Sequence, residues 1–218
     1  MPLRLVRWLA LSALITGMLL GLAGRIDLWR LWATAAVMAA TLLLALFLID
    51  PSLTRERLKR KQKTADPLVL ALIRVTALSV FIVAPLDVGR FHWSGPVPAA
   101  VSIVALAVLA GAFIFALTAV RANRFFVPQV RIQTDRGHHV VDRGPYAVVR
   151  HPGYAAMTVF APAAALAMGS WVALGCGAAC AASFVFRAAR EDRFLHHNLD
   201  GYAAYARRVP YRLVPGLW

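Results

Sequence analysis

Several long apolar runs dominate this 218-residue sequence and leave it few possible folds. A helix needs about 20 mostly apolar residues to cross the hydrocarbon core of a bilayer. Only 16% of the residues are charged, against about 25% in a typical soluble domain. The chain is therefore predicted to span a membrane. The first four candidate spans are Leu9 to Gly24, Leu28 to Ile49, Leu68 to Leu86 and Val97 to Val120.

The last apolar stretch, Ala155 to Phe186, is too long for a single span. It would form a helix of about 48 Å, whereas the hydrocarbon core is about 30 Å thick. Gly169 and Ser170 lie near its middle and favour a turn. We expect a hairpin of two short helices, Ala155 to Met168 and Trp171 to Phe186. The predicted fold class is all-α, a polytopic integral membrane helical bundle with about six hydrophobic segments.

The distribution of basic residues predicts the orientation of this bundle. The formal net charge is +14, and the cytoplasmic loops of membrane proteins are enriched in Lys and Arg. With six segments and a cytoplasmic N-terminus, the external loops contain only Arg25, Arg30 and Arg90, and Arg74 lies within a span. The basic segment from Arg55 to Lys63 then faces the cytoplasm. We expect both termini to be cytoplasmic and the basic loops to contact anionic lipids, with no nucleic-acid partner.

Two polar regions near the C-terminus contain residues that are suited to chemistry. Because a hairpin returns the chain to the face that it left, both regions are expected to meet at the cytoplasmic surface. We therefore divide the chain into an N-terminal four-helix membrane region, residues 1–120, and a C-terminal catalytic region, residues 121–218. The motifs in the second region are His138, Gly144-Pro145-Tyr146, Arg150-His151-Pro152-Gly153-Tyr154, Arg187, Glu191-Asp192 and Tyr202-Ala203-Ala204-Tyr205.

The spacing of these residues suggests which side chains share a surface. Arg187 and Glu191 are four residues apart, so a cation and a carboxylate can meet on one helix face. The same spacing is also typical of a salt bridge on a solvated helix. Pro152 disfavours helix at His151 and suits the first turn of the following helix. Arg150 and His151 would then lie at a helix N-terminus, which suits an anionic ligand, or His151 would simply cap the helix or contact a headgroup.

The common motifs of several other enzyme classes are missing. No GxGxxG follows a predicted strand, and GxxxxGK[ST], HExxH and GxSxG do not occur. Nucleotide-binding, triphosphatase and hydrolase functions therefore lose their usual support. Cys176 and Cys180 lie one helical turn apart, which is poor disulfide geometry, and two thiols alone do not form a structural zinc site. We predict no metal site.

The motifs resemble those of the isoprenylcysteine carboxyl methyltransferase family and, more loosely, those of integral-membrane phospholipid methyltransferases. The shared order is His, Gly-Pro-Tyr, Arg-His-Pro-x-Tyr, an apolar hairpin, Arg-x-x-x-Glu-Glu and Tyr-x-x-Tyr. It covers roughly residues 121–215 of this chain. Two positions differ from the family pattern, because Asp192 replaces the second glutamate and Ala156 replaces the glycine of RHPxYxG.

The resemblance implies S-adenosylmethionine as methyl donor, S-adenosylhomocysteine as product and a site at the cytosolic membrane face. An acceptor carboxylate is already ionised at neutral pH, so catalysis would consist mainly of alignment by arginine. The predicted catalytic residues are Arg150, Arg187 and Glu191. The predicted cofactor-binding residues are His138, Gly144, Tyr146, His151, Pro152, Tyr154, Glu191, Asp192 and Tyr205.

Four functions are compatible with these observations. The leading one is methylation of the carboxylate of an isoprenoid or other lipid-linked substrate that enters from the bilayer. N-methylation of an aminophospholipid would instead need a base, for which Glu191 or Asp192 is a candidate. A non-catalytic membrane protein that binds lipid or a partner belongs to another class, and a sterol-type reductase using NADPH is the fourth. Arginine outnumbers lysine 21 to 3, so we expect the cytoplasmic membrane of a bacterium with a GC-rich genome.

Overall fold

The computed structural model describes residues 2–57, 64 and 66–218, and within these ranges the chain forms helices and no strand. Residues 58–63, which contain most of the basic segment noted above, lie outside the described ranges. In chain order the α-helices are α1 (Pro2–Ala23), α2 (Trp29–Leu48), α3 (Pro51–Arg57), α4 (Pro67–Leu86), α5 (Ala99–Ala122), α6 (Pro152–Met168), α7 (Trp171–Asn198) and α8 (Tyr202–Arg208).

The helix lengths confirm the predicted all-α membrane fold. Among the described residues, α1, α2, α4, α5 and α7 are long and apolar enough to cross a membrane, and α6 is a shorter apolar helix. These are the six predicted segments, and together they make the chain an integral membrane protein. Short π-helical and 3₁₀ segments lie between the longer helices, at Asp87–Phe91, Thr134–Arg136 and Gly144–Ala147.

The predicted hairpin around Gly169 and Ser170 is present. Gly169 ends α6 with a φ of 92°, a conformation that favours glycine. Ser170 caps α7 by accepting a hydrogen bond of 3.0 Å from the backbone N–H of Ala173. Helix α7 does not stop at Phe186, where its apolar run ends, because no glycine or proline interrupts the polar sequence up to Asn198. The acidic motif is therefore part of the same helix as the membrane span.

Exposed aromatic side chains gather at one end of the bundle, which we call the aromatic end. This end comprises the α1–α2 loop, the segment after α4 and the α6–α7 turn. Four of the six tryptophans lie there and are exposed, as is typical of residues at a membrane–water interface. They are Trp29, Trp32, Trp93 and Trp171.

A buried carboxylate holds the aromatic end together. Asp87 is only 1% exposed, and it accepts hydrogen bonds from Ser94 and from the hydroxyl of Ser170. Arg30 donates to the backbone oxygen of Val97 over 2.6 Å. The end of α4, the segment before α5 and the α6–α7 turn are thus joined by hydrogen bonds.

Helices α6 and α7 pack closely because small residues line their contact. Ala161 and Ala164 of α6 and Ala173 of α7 are buried. A Cβ atom added at Gly177 would lie 2.8 Å from the Cα of Pro162, closer than real Cβ atoms approach. The glycine therefore allows the two backbones to come together, a common device between helices in membranes.

We expect Gly177→Ala to destabilise the protein by about 1–3 kcal/mol, because the new methyl group must push the α6 backbone away. Gly175→Ala is the matched control, since a Cβ at Gly175 would have no neighbouring atom within 4 Å. Thermal unfolding in detergent measures the difference. Equal unfolding midpoints for the two variants would contradict this account of the packing.

Candidate active site

A cavity of about 510 Å³ lies at the end of the bundle opposite the aromatic end. We call this end the site end, and α6 begins there and α7 ends there. The part of the cavity within the bundle is apolar and is formed by five helices, and the outer part is lined by the predicted motifs. Representative apolar lining residues are Leu42, Ile73, Phe113, Met157, Phe160 and Phe184.

One wall of the cavity is formed by residues 123–143, which we call the cover loop. It is anchored to the N-terminal part of the chain. The backbone N–H of Val130 donates to the hydroxyl of Thr64 over 3.2 Å, and Arg131 forms an ion pair of 2.8 Å with Glu56. Phe126 packs so closely on Gly153 that a Cβ there would lie 2.5 Å from its ring. The cover loop is therefore held in place by contacts with both halves of the chain.

The carboxylate of Asp192 forms the centre of a buried ion cluster beside the cavity. Arg150 donates to it from Nε over 2.7 Å and from Nη2 over 3.0 Å, the two-bonded geometry that arginine and carboxylate prefer. Arg212 donates from Nε over 2.9 Å, and the Tyr202 hydroxyl donates over 2.8 Å. His151 Nε2 lies 3.3 Å away. We call these five residues the Asp192 cluster.

The Asp192 cluster ties the C-terminal tail to the start of α6. Arg150 also donates from Nη1 to the backbone oxygens of Val209 and Pro210, each over 2.8 Å. The backbone N–H groups of Arg150 and His151 donate to the backbone oxygens of Tyr211 and Arg212. All three nitrogens of the Arg150 guanidinium are therefore engaged inside the protein. This arrangement fits a supporting role for Arg150 better than direct contact with a ligand.

A second group, Arg187–Tyr154–Glu191, faces the cavity directly. Arg187 and Glu191 do not form a direct ion pair of 4 Å or less in the described part of the chain. The hydroxyl of Tyr154 lies between them instead, accepting from Arg187 Nε over 2.8 Å and donating to the Glu191 carboxylate. Arg187 is 1% exposed, so the surface salt bridge considered from the spacing does not describe this pair. Tyr154 joins the RHPxY motif to the acidic motif.

Several buried polar atoms around the cavity lack a hydrogen-bond partner among the described residues. Three of them belong to lining residues and are Arg187 Nη1, Gln129 Oε1 and Arg131 Nε. A fourth is Oδ2 of Asp66, whose other oxygen lies 3.6 Å from Arg187 Nη2. Buried polar groups in proteins are nearly always satisfied. Their concentration here indicates a place where a polar ligand or water completes the bonding.

Most of the predicted site residues lie around this cavity. Those that line it are His138, Tyr146, Arg150, His151, Tyr154, Arg187, Glu191 and Tyr205. Gly144, Pro152 and Asp192 are not among the lining residues. Gly144 supplies a turn with a φ of 60°, and Pro152 starts α6. Asp192 accepts hydrogen bonds from Arg150 and Tyr202, which line the cavity. Their proposed contacts with a cofactor stay predictions.

Some residues in and beside the cavity were not predicted from the sequence. Gln129 and Gln133 lie in the cover loop, where neither motif nor periodicity marks them. Asp66 precedes the apolar run of α4, a position that suggests only a helix cap. Its contact with Arg187 depends on the packing of α4 against α7, which spacing along the chain does not reveal.

His138 is held as a neutral imidazole against the cover loop. Its ring lies 4.5 Å from the ring of Phe125, centre to centre, and its Nδ1 accepts from the backbone N–H of Gln133 over 3.3 Å. Burial and the nearby positive groups, among them Arg131, lower the pKa of His138 from 6.5 to about 4. At neutral pH the ring is therefore uncharged and packs as an aromatic side chain.

Fold and site together define a polytopic helical membrane protein with a cavity that joins a polar pocket to an apolar channel. Residues 102–197 match the model of the Isoprenylcysteine carboxyl methyltransferase (ICMT) family, which confirms the resemblance seen in the motifs. The match indicates a membrane methyltransferase. It starts within α5 and ends near the end of α7, so the Tyr202–Tyr205 motif lies beyond it. No curated protein matches the chain.

We expect Asp192→Asn to cost about 3–5 kcal/mol of unfolding free energy, because Arg150 and Arg212 would lose the charge that compensates them. Asp142→Asn is the control, since its ion pair with Arg208 is more than half exposed. That substitution should cost less than about 1 kcal/mol. Denaturant unfolding in detergent gives both values. Similar losses of unfolding free energy in the two variants would contradict the proposed importance of the Asp192 cluster for stability.

We expect the protein to lose stability as the pH falls from 6.5 towards 4. The unfolded chain binds a proton at His138 near pH 6.5, whereas the folded protein resists protonation until about pH 4. The neutral His138 ring thus makes its full contribution to the stability of the fold above pH 6.5, and this contribution is lost progressively as the pH falls below 6.5. Unfolding midpoints measured across this range should fall less steeply for His138→Gln than for the unaltered protein. The same change at exposed His197 should leave the slope as it was, and a steep slope in His138→Gln would refute the assignment.

Proposed function

We propose that this protein is an S-adenosylmethionine-dependent methyltransferase that methylates the carboxylate of an isoprenoid or lipid-linked acceptor at the cytosolic membrane face. The observation that carries this proposal is the position of the Arg187–Tyr154–Glu191 group. It stands where the polar pocket meets the apolar channel between the membrane helices. A water-soluble donor and a lipid acceptor could meet only at such a junction.

The side chains around the polar pocket fit the proposed cofactor. Glu191 is partly exposed to the cavity, and its carboxylate forms no ion pair in the described part of the chain. It is therefore free to bind the α-ammonium or the ribose hydroxyls of the cofactor. Tyr154, His151 and Tyr146 add aromatic surfaces for the adenine or for the cationic sulfonium. The bound cofactor would supply the electrophilic methyl group.

Arg187 is the residue that we assign to the acceptor carboxylate. Its Nη1 has no partner among the described residues, while Nε and Nη2 are engaged by Tyr154 and by the backbone oxygen of Pro128. This unsatisfied nitrogen belongs to a residue that lines the cavity, and it is the atom that we assign to an anion. An ionised carboxylate needs no base. The protein then contributes mainly alignment, and the dry channel strengthens the attraction between guanidinium and acceptor.

The apolar channel supports a lipid as acceptor. Leu42, Ile73, Phe113 and Phe160 come from four different helices and line its inner part. Such a surface binds a hydrocarbon chain through burial alone. The chain can therefore enter between the helices while its carboxylate reaches Arg187.

The charge distribution supports a cytosolic site. The loops and tail at the site end contain many arginines, whereas the aromatic end has only Arg25, Arg30 and Arg90. Positive charge is typical of the cytoplasmic side. Anionic lipids are then natural neighbours of the exposed arginines on α7 and α8.

N-methylation of an aminophospholipid is the second candidate, and it is favoured by the carboxylate of Glu191, which has no ion-pair partner among the described residues. An amine must lose a proton before it accepts a methyl group, and Glu191 is in a position to take it. The two reactions differ in their products. A carboxyl methyl ester releases its label in mild base, whereas an N-methyl group does not.

We expect purified protein in detergent to transfer labelled methyl from S-adenosylmethionine to an N-acylated S-farnesylcysteine as base-labile label. Arg187→Lys and Glu191→Gln should each lower kcat/KM by about 100-fold or more, because each removes a specific contact. Arg190→Lys is the matched control, since Arg190 is exposed on the same helix. Base-stable label in membrane lipid would favour N-methylation. The absence of both cofactor binding and methyl transfer would overturn the proposal.

A further inference from the structure

We propose that Asp66 is a positioning residue that holds Arg187 with one edge of its guanidinium free for the acceptor carboxylate. This inference rests on the proposed function. Asp66 immediately precedes α4 and lies outside the region matched by the family model, residues 102–197. Residues 58–63 and 65 before it are outside the described ranges, whereas Asp66 itself and Thr64 are described.

Contacts of Arg187 on three sides support this assignment. Nε donates to the Tyr154 hydroxyl over 2.8 Å, and Nη2 donates to the backbone oxygen of Pro128. Nη2 also lies 3.6 Å from Oδ1 of Asp66. Asp66 is 4% exposed and does not line the cavity, so it contacts the guanidinium from the protein interior and not from the cavity. The guanidinium is fixed in place while Nη1 keeps no partner among the described residues.

A second arginine of the same site shows what a purely structural pair looks like. Arg150 meets Asp192 through two hydrogen bonds of 2.7 and 3.0 Å, and its remaining nitrogen binds backbone oxygens. Arg187 meets Asp66 through a single, longer contact, and Nη1 of Arg187 and Oδ2 of Asp66 have no partner among the described residues. The Arg150 guanidinium is therefore fully hydrogen-bonded, whereas the Arg187 guanidinium lines the cavity with one nitrogen that is unsatisfied among the described residues. We infer that this nitrogen serves to bind a ligand.

The negative charge of Asp66 compensates the buried guanidinium of Arg187 and keeps it in its position. A buried guanidinium without a compensating charge is costly, and it tends to find an alternative partner. Within the described residues, Asp66 is the only carboxylate within 4 Å of Arg187. Without it, Arg187 is free to turn towards Glu191 and close the pocket edge that the acceptor needs. Thr64 helps to fix Asp66 by donating from its hydroxyl to Oδ1 over 2.8 Å.

The experiment compares Asp66→Asn with Asp66→Glu and with Asp87→Asn in detergent, using labelled S-adenosylmethionine and an N-acylated S-farnesylcysteine. Asp66→Asn should raise KM for the acceptor about tenfold or more and change the cofactor Kd less than about twofold. Asp66→Glu should recover part of the loss, because it restores the charge. Asp87 is equally buried but lies at the aromatic end, so Asp87→Asn should lower the unfolding midpoint without changing KM.

Each outcome bears on the proposal. An unchanged acceptor KM in Asp66→Asn would overturn it, and so would a parallel loss of cofactor binding and stability, which marks a structural role. If Asp66→Asn does not fold, Thr64→Val tests the same contact, with an expected rise in KM of about two- to fivefold and an unchanged KM as the contrary result. If the unaltered protein neither binds the cofactor nor transfers methyl, the proposed function fails first and this inference falls with it.

Discussion

The buried carboxylate of Asp192 is the interaction on which the candidate site depends. An isolated charge in a protein interior is costly, and removing a partner from such a pair leaves the other uncompensated. The charge of Asp192 is compensated because its carboxylate binds Arg150, Arg212 and Tyr202 at the same time. These partners come from the start of α6, the C-terminal tail and α8. One side chain thus joins the elements that shape the polar pocket.

Successive positions on α7 separate structural and chemical tasks. Neighbouring residues on an α-helix point about 100° apart. Glu191 therefore faces the cavity, whereas Asp192 faces the tail and the α6 N-terminus. Arg187 lies one turn before Glu191 and shares its face. Because α7 continues unbroken from the membrane span to Asn198, these directions are fixed by the same rigid helix that packs against α6.

Periodicity and turn chemistry made much of this arrangement predictable. The apolar runs predicted the six segments, and Gly169-Ser170 predicted the turn of the hairpin, although α7 continues to Asn198 and not only to the predicted Phe186. The i,i+4 spacing correctly placed Arg187 and Glu191 on one face. It did not reveal the Tyr154 hydroxyl between them, because that contact depends on how closely α6 approaches α7. The cover loop and Asp66 could not be predicted, since neither has a regular pattern and both are placed by tertiary contacts.

Charge balance links the site residues to the kind of acceptor proposed. Asp66 lies beside Arg187, and Asp192 is shared by Arg150 and Arg212, so among the described lining residues Glu191 is the carboxylate available to attract a cation. A cationic donor beside Glu191 and an anionic acceptor beside Arg187 would then lie close together in a medium of low dielectric constant. Methylation removes the charge of a carboxylate, and loss of opposite charges is least opposed where water is scarce. A neutral ester product would lose its attraction to Arg187 and could return to the bilayer, whereas an N-methylated product would be a cation and would still be attracted to Glu191.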